Sequence, residues 1–230
     1  IERRAESRQR RKRDAKRRNL SGLLLALKRD CGERLDPFKR ATLRKFEQYD
    51  PEMKPTLLKV SAYVRDIASN VEAGNGIFFI GPPGTGKDHL AVAIAREAVL
   101  RLGVSARWLD AATFRSDLRD GIKSSKEERR IVGPYLAAGV LILSDPVAPG
   151  SELTNFQADC LYRLIDGRYR ACRPTFTTSN LSGETEALEL LGSQIVDRLS
   201  TAVFGFCASG SHSGDALEMA RRQATGKGSR

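Results

Sequence analysis

The run Ile77-Phe78-Phe79-Ile80-Gly81-Pro82-Pro83-Gly84-Thr85-Gly86-Lys87 constrains this chain more than any other feature. Its four leading residues are β-branched or aromatic, and they read as a short buried strand. A glycine-rich turn follows and ends in a lysine, and the apolar spacing over residues 87–102 predicts a helix. Strand, glycine turn and a helix opening on lysine together form the context of a phosphate-binding P-loop. Glycines let backbone N–H groups turn inward around phosphate oxygens, and the helix N-terminus adds partial positive charge. Gly81, Pro82, Pro83, Gly84, Thr85, Gly86 and Lys87 are therefore candidate positions for binding ATP or ADP, with Asp88 and His89 opening the helix behind them. Lys87 is expected to meet the β- and γ-phosphates as a point charge.

Position 88 departs from the motif. A Ser or Thr normally follows the lysine and offers a hydroxyl to Mg²⁺, whereas this chain has Asp88. The second half of such a site is an acid at the end of another buried strand. Val140-Leu141-Ile142-Leu143-Ser144-Asp145 supplies it, with Ser144 where the first of two acids is usual. The two departures are complementary, because a carboxylate has replaced a hydroxyl at 88 and a hydroxyl a carboxylate at 144. We expect Asp88 and Ser144 to have exchanged their Mg²⁺ roles, leaving Asp145 as a further metal ligand or as the group that orients the attacking water. The rival expectation is a degenerate site that binds nucleotide and hydrolyses it poorly.

Apolar segments elsewhere alternate in type. Strands are predicted near 77–80, 106–109, 139–143, 174–178 and 202–207, and helices over 56–72, 87–102, 111–122, 126–138, 155–171 and 184–199. Alternation of this kind implies an α/β fold in which helices cover both faces of a parallel five-stranded sheet. The uninterrupted apolar run at 140–143 fits burial on both faces.

The charge is uneven. The chain carries a formal +11, and residues 1–20 hold ten Lys/Arg against three acids. We read 1–35 as a basic arm, helical or disordered, with a short apolar helical patch at 20–27; 36–208 as the nucleotide-binding domain; and 209–230 as a flexible Gly/Ser-rich tail. A basic arm meets a polyanion, nucleic acid first, or a protein partner. Cys31, Cys160, Cys172 and Cys207 show no CxxC spacing, and with only two histidines a zinc site is not expected. Free thiols in a cytoplasmic protein are the expected state. No apolar run reaches the ~20 residues a membrane helix needs, and no apolar core follows the basic start as in a secretory signal. The chain begins with Ile, so a fragment or processed form is expected.

Longer stretches resemble the AAA+ ATPases of the DnaC/IstB type. They are GPPGTGKDHLAVAIAREAV, CLYRLIDGRYRACRPTFTTSNLS, IVDRLS and, upstream, ATLRKFEQYDPEMKPTLLKV, within a resemblance covering roughly residues 33–208. The FEQYDP stretch is more similar to DnaC-type helicase loaders than to IstB transposition helpers. The resemblance implies a three-layer AAA+ sandwich with a small or missing C-terminal lid. It implies that Asn180 is the sensor 1 residue, which contacts the γ-phosphate or lytic water. It implies that Arg198 is an arginine finger serving a neighbouring subunit, so that the active form is an oligomer. The sensor 2 arginine is absent, because Gly214 falls at its place in Gly210-Ser211-His212-Ser213-Gly214, and Arg221 and Arg222 lie too far on. Arg115, Arg119, Lys123, Lys126, Arg129 and Arg130 lie where such proteins meet single-stranded DNA; a solvated helix face is the alternative.

Three readings follow. The first is an ATPase that delivers a DnaB-type replicative helicase onto single-stranded DNA. The second is a transposition helper that recruits a transposase. The third is a nucleotide-gated adaptor with little hydrolysis.

Overall fold

Strands buried along their length, such as the wholly apolar Ile77–Ile80, dictate the architecture: each must be covered on both faces. In the computed structural model, which describes residues 2–31, 43, 53–111, 113–114, 116, 125–147, 153–201 and 203–206, they are. The chain opens with helix α1 (Glu2–Cys31). Helices α2 (Lys54–Arg65) and α3 (Ile67–Glu72) lead into β1 (Ile77–Ile80). Then come α4 (Lys87–Leu102), β2 (Ala106–Asp110), α5 (Ser125–Ala137) and β3 (Val140–Ser144). The chain continues through α6 (Asn155–Arg170), β4 (Thr175–Ser179), α7 (Glu184–Leu191), α8 (Ser193–Leu199) and β5 (Val203–Phe206).

The strands form one parallel sheet in the order β2-β3-β4-β1-β5. Alternate residues of β1, β2 and β3 feed two separate cores. Ile77, Phe79, Val140, Ile142 and Phe176 pack with α1, α2 and α4 on one face. Phe78, Ile80, Leu141 and Leu143 pack with α6, α7 and α8 on the other. Fully burying one such Phe or Ile stabilises the fold by about 1.5–3 kcal/mol.

Two predicted helices each become two. Asp66, at φ −103° and ψ 32°, leaves the helical region and separates α2 from α3. Gly192, at φ 80° and ψ 152°, leaves the helical region and ends α7 with a positive φ that a side chain would strain. The apolar patch at 20–27 belongs to the much longer α1. Leu20, Leu23, Leu24, Leu27 and Cys31 line one stripe of that helix and pack against the first core. Asp30, on the same helix, pairs with Arg107 of β2, and its Oδ2 accepts from the Trp108 N–H at 3.4 Å. Strand β2 is an outer strand, so α1 covers its open edge.

Arg168 on α6 is fully buried. It donates to Thr175 Oγ1 at 3.0 Å and to the carbonyls of Tyr135, Ala138 and Pro174 at 2.6–2.8 Å. It thereby fastens α6 to the end of α5 and the start of β4. Burial, with Arg173 nearby, pulls its pKa down to about 9. Cys31, Cys160 and Cys172 are free thiols; Cys207 lies outside the described residues. Among the described residues no helix is long and apolar enough to cross a membrane.

Candidate nucleotide site

Sheet order decides where the site lies. β1 and β4 are neighbours, yet the chain leaves β1 toward β2 on one side and β4 toward β5 on the other. Their connections cover opposite faces, α4 with the first core and α8 with the second. A crevice opens at the carboxyl ends of such strands, the preferred ligand position in open α/β sheets. The glycine turn after β1 and Asn180 after β4 both stand there.

The turn has the geometry its glycines predict. Gly84 and Gly86 have φ of 83° and 84°, values that side-chain-bearing residues rarely adopt. Thr85 Oγ1 donates to the Pro82 carbonyl at 3.0 Å. Lys87 is only 5% exposed. Its ammonium donates to the carbonyls of Gly81 and Pro82, each at 2.7 Å, to Asn180 Oδ1 at 3.0 Å, and to Thr85 Oγ1 at 3.5 Å. His89 is half-buried in the first turn of α4. Beside the turn lies an open pocket of about 780 Å³, lined by Pro82, Pro83, Asn180, Ser182 and Glu186 among others.

Asn180 joins lysine to acid. Its Nδ2 donates to Asp145 Oδ2 at 2.9 Å and its backbone N–H to Asp145 Oδ1 at 3.0 Å. Asp145 has φ 48°, uncommon for a residue other than glycine and costing of order 1–2 kcal/mol. Its N–H donates to the Thr178 carbonyl at 2.8 Å, and the two bonds from Asn180 fix its carboxylate. Burial raises the Asp145 pKa above the usual carboxylate value, Asp88 and Asp110 push it further, and Asn180 and Lys87 oppose the shift.

Asp88 and Ser144, far apart in sequence, are in contact. Ser144 Oγ donates to Asp88 Oδ1 at 3.3 Å, and Thr178 Oγ1 donates to the same oxygen at 2.5 Å. Register explains the cluster. Asp110 pairs with Ser144 across β2 and β3, and Ser144 with Thr178 across β3 and β4, so the three form a row across the sheet. Sequence reasoning missed Asp110 and Thr178. Thr178 stands two residues before Asn180, but only strand pairing shows that it sits beside Ser144.

These residues fit a hard divalent cation on their chemistry, because the donors are carboxylate and hydroxyl oxygens. Among the described residues no group of three or more His, Cys, Asp or Glu is arranged to hold a metal. Mg²⁺ is usually held by one or two carboxylates together with phosphates and water.

Arg198 lies elsewhere. Its Nε is 3.1 Å from Asp166 Oδ1, and its guanidinium lies 5.3 Å from the Tyr162 ring and 5.6 Å from the Tyr169 ring. Arg129 and Arg130 are exposed on α5. Arg115, Arg119, Lys123 and the Lys126 side chain lie outside the described residues, as do residues 207–230 with Gly214, Arg221 and Arg222, and the whole of the FEQYDP stretch.

The family model of the IstB-like ATP binding proteins matches residues 28–203. The chain belongs to that family. Among IstB-like relatives, the replicative helicase loader DnaC of Escherichia coli K12 is 30% identical over 157 residues, 67% of this chain and 62% of its own length. A Mycobacterium tuberculosis protein described as ATP-binding in an insertion sequence is 36% identical over 137 residues, 59% of this chain and 52% of its own length. This chain thus spans about three fifths or less of the curated relatives it matches. In fold, it superposes on a crystal structure of the DnaC helicase loader with a TM-score of 0.61 and 22% identity, covering 78% of this chain and 100% of that one. The replication initiator DnaA bound to AMPPCP and single-stranded DNA gives a TM-score of 0.60 at 17% identity, over 83% of this chain and 57% of that one. These likenesses place the IstB-like chain in the AAA+ fold expected from its sequence.

Proposed function

We propose that this protein is an ATP-binding AAA+ ATPase of DNA replication that places a DnaB-type replicative helicase on single-stranded DNA. The observation that carries the proposal is the chain of contacts from the glycine turn through Lys87 and Asn180 to Asp145, in a chain 30% identical to a helicase loader over 67% of its length. Lys87 exchanges its present acceptors for phosphate oxygens. Asn180 and Asp145 hold the attacking water, Asp145 as the base. A carboxylate with a raised pKa suits that work, because it accepts a proton more readily near neutral pH. Asp88, Ser144 and Asp145, together with phosphate, would hold Mg²⁺, which would supply positive charge against the charge that develops on the nucleotide. Arg198 acts on the nucleotide of a neighbouring copy in an oligomer and stabilises the transferred phosphoryl group. Arg129 and Arg130, with Arg115, Arg119, Lys123 and Lys126 of the same stretch of sequence, meet DNA phosphates. The basic arm contacts helicase or DNA, and the protein works in the cytoplasm.

A second reading is favoured by the insertion-sequence relative, namely a helper ATPase whose partner is a transposase. Affinity capture on the immobilised chain, with ATP and single-stranded DNA present, separates the two. Retention of a purified DnaB-type helicase supports the loader. Retention of a transposase with no helicase supports the helper and overturns the first reading. Steady-state ATP turnover with and without single-stranded DNA addresses the nucleotide-gated adaptor, which requires saturable nucleotide binding with no turnover under either condition.

A further inference from the structure

We infer that the principal protein carboxylate for the nucleotide's Mg²⁺ has moved from the end of β3 to the first turn of α4, with Asp88 as ligand and Ser144 and Thr178 as its positioning hydroxyls. The inference rests on the nucleotide-binding reading above and specifies its metal chemistry.

The geometry is that of a built carboxylate site. Asp88 is half-buried in the first turn of a 16-residue helix, where the helix dipole favours a negative charge. Two hydroxyls from neighbouring strands converge on Oδ1 alone. Among the described residues Oδ2 has no hydrogen-bond partner, so the carboxylate is held by one oxygen and presents the other. Strand register makes this arrangement possible, since Ser144 and Thr178 are paired residues on the face that α4 covers. The Ser144 hydroxyl gives its proton to Asp88 and keeps its lone pairs, so it orients the carboxylate and adds only a neutral oxygen to the ion.

Charge balance points the same way. Asp110 pairs with Ser144 across β2 and β3, Asp88 is bonded to Ser144, and Asp145 follows it in sequence, so three carboxylates share this end of the sheet. Lys87 directs its ammonium at the turn carbonyls and Asn180. A carboxylate directly behind the phosphate-binding lysine repels a polyphosphate unless a cation lies between them. Asp88 therefore opposes nucleotide without metal and favours it with metal, whereas a merely degenerate carboxylate opposes nucleotide in both conditions.

The test uses the whole chain and a fluorescent ADP, titrated in EDTA and in MgCl₂ at equal ionic strength. Wild-type affinity is expected to rise by about tenfold or more on adding Mg²⁺, equivalent to about 1.4 kcal/mol. Asp88→Asn is expected to bind ADP in EDTA at least as tightly as wild type and to lose the Mg²⁺ increment. Combining Asp88→Thr with Ser144→Asp, which returns the carboxylate to β3, is expected to regain it. Mn²⁺ binding followed by electron paramagnetic resonance in the presence of ADP gives a second readout and should weaken in Asp88→Asn. Ser144→Ala removes a single hydroxyl and serves if Asp88→Asn does not fold; it is expected to shrink the increment without changing affinity in EDTA. An increment that survives Asp88→Asn, or that survives Ser144→Ala when Asp88→Asn does not fold, overturns the inference and leaves nucleotide binding standing. Absence of ADP binding by wild type in both conditions overturns the nucleotide reading itself and this inference with it.

Discussion

Lys87 and Asp145 show how much of the proposed chemistry rests on single side chains. The ammonium of Lys87 already has four acceptors, two of them carbonyls of the turn it serves, so phosphate must displace bonds that are well formed. Lys87→Ala is expected to weaken ADP binding by at least about a hundredfold, since a charged hydrogen bond contributes about 1.5–3 kcal/mol and this group makes several. Equilibrium titration with fluorescent ADP measures it. Asp145 makes a prediction with a sign. Its folded pKa lies above the ordinary 3.8, so the folded chain holds this proton more tightly than the unfolded chain does. Its contribution to stability therefore falls as pH rises from 3.8 through the folded pKa. Asp145→Asn removes that titration, so the part of the fall in melting temperature between about pH 4 and pH 7 that Asp145 causes is expected to disappear. Its ATP turnover is expected to fall by about a hundredfold or more, the usual loss on removing a general base. A variant with the wild-type pH dependence of melting and normal turnover would contradict both roles.

Helices and strands are fastened to one another by polar groups that periodicity does not reveal. α1 reaches the β2 edge through an apolar stripe and then secures it with Asp30, which pairs with Arg107 and accepts from the Trp108 amide. Asp30→Ala leaves that arginine without its carboxylate, and a loss of about 3 kcal/mol is expected. Hydrogen exchange read at the Trp108 amide should accelerate more than exchange in β1, which lies inside the sheet. Arg168 is a second fastener, bonded to the Thr175 hydroxyl and to the carbonyls of Tyr135, Ala138 and Pro174. Arg168→Met keeps much of the volume and removes the side-chain donor from the carbonyls of Tyr135 and Ala138, while the Pro174 carbonyl still accepts from the Leu141 N–H, so chemical denaturation should show a loss of about 3 kcal/mol. A third device, the capping box of Thr154 and Gln157, begins α6 by satisfying two backbone N–H groups reciprocally.

Assembly and nucleic-acid contact belong to the molecule as a whole. Arg198 is held against Asp166 and two tyrosines of its own chain, away from its own glycine turn. For it to serve a neighbour, those contacts must be released or carried into an interface. Specific ATP turnover by wild type is expected to rise with protein concentration, and Arg198→Ala is expected to abolish the rise while retaining ADP binding. A concentration-independent wild type would remove the finger role. The exposed pair Arg129 and Arg130 makes a second whole-molecule prediction. Replacing both with Ala should reduce the slope of log affinity for single-stranded DNA against log salt by about 1.4, or about 0.7 for each phosphate no longer neutralised. An unchanged slope would place this helix face in solvent.

The sequence by itself determined the local pieces. The apolar run Ile77–Ile80, the glycines and Lys87 specify a strand, a turn and a helix start, because sterics and hydrophobic period act over a few residues. Alternation of strands and helices was enough to imply a parallel sheet covered on both faces, and the sheet is built that way. Helix breaks were less legible, since Asp66 departs from helical backbone within an otherwise continuous apolar stripe. The nearness of Asp88 to Ser144 was inferred from their complementary departures, but its reason lay in the register of β3 against β4, which also adds Thr178. Pairing of strands distant along the chain leaves no periodic trace. The glycine turn was therefore legible as a candidate phosphate cradle, while only the tertiary structure decided which carboxylate and hydroxyls stand beside it, because parallel register sets neighbours across the sheet and sequence order does not.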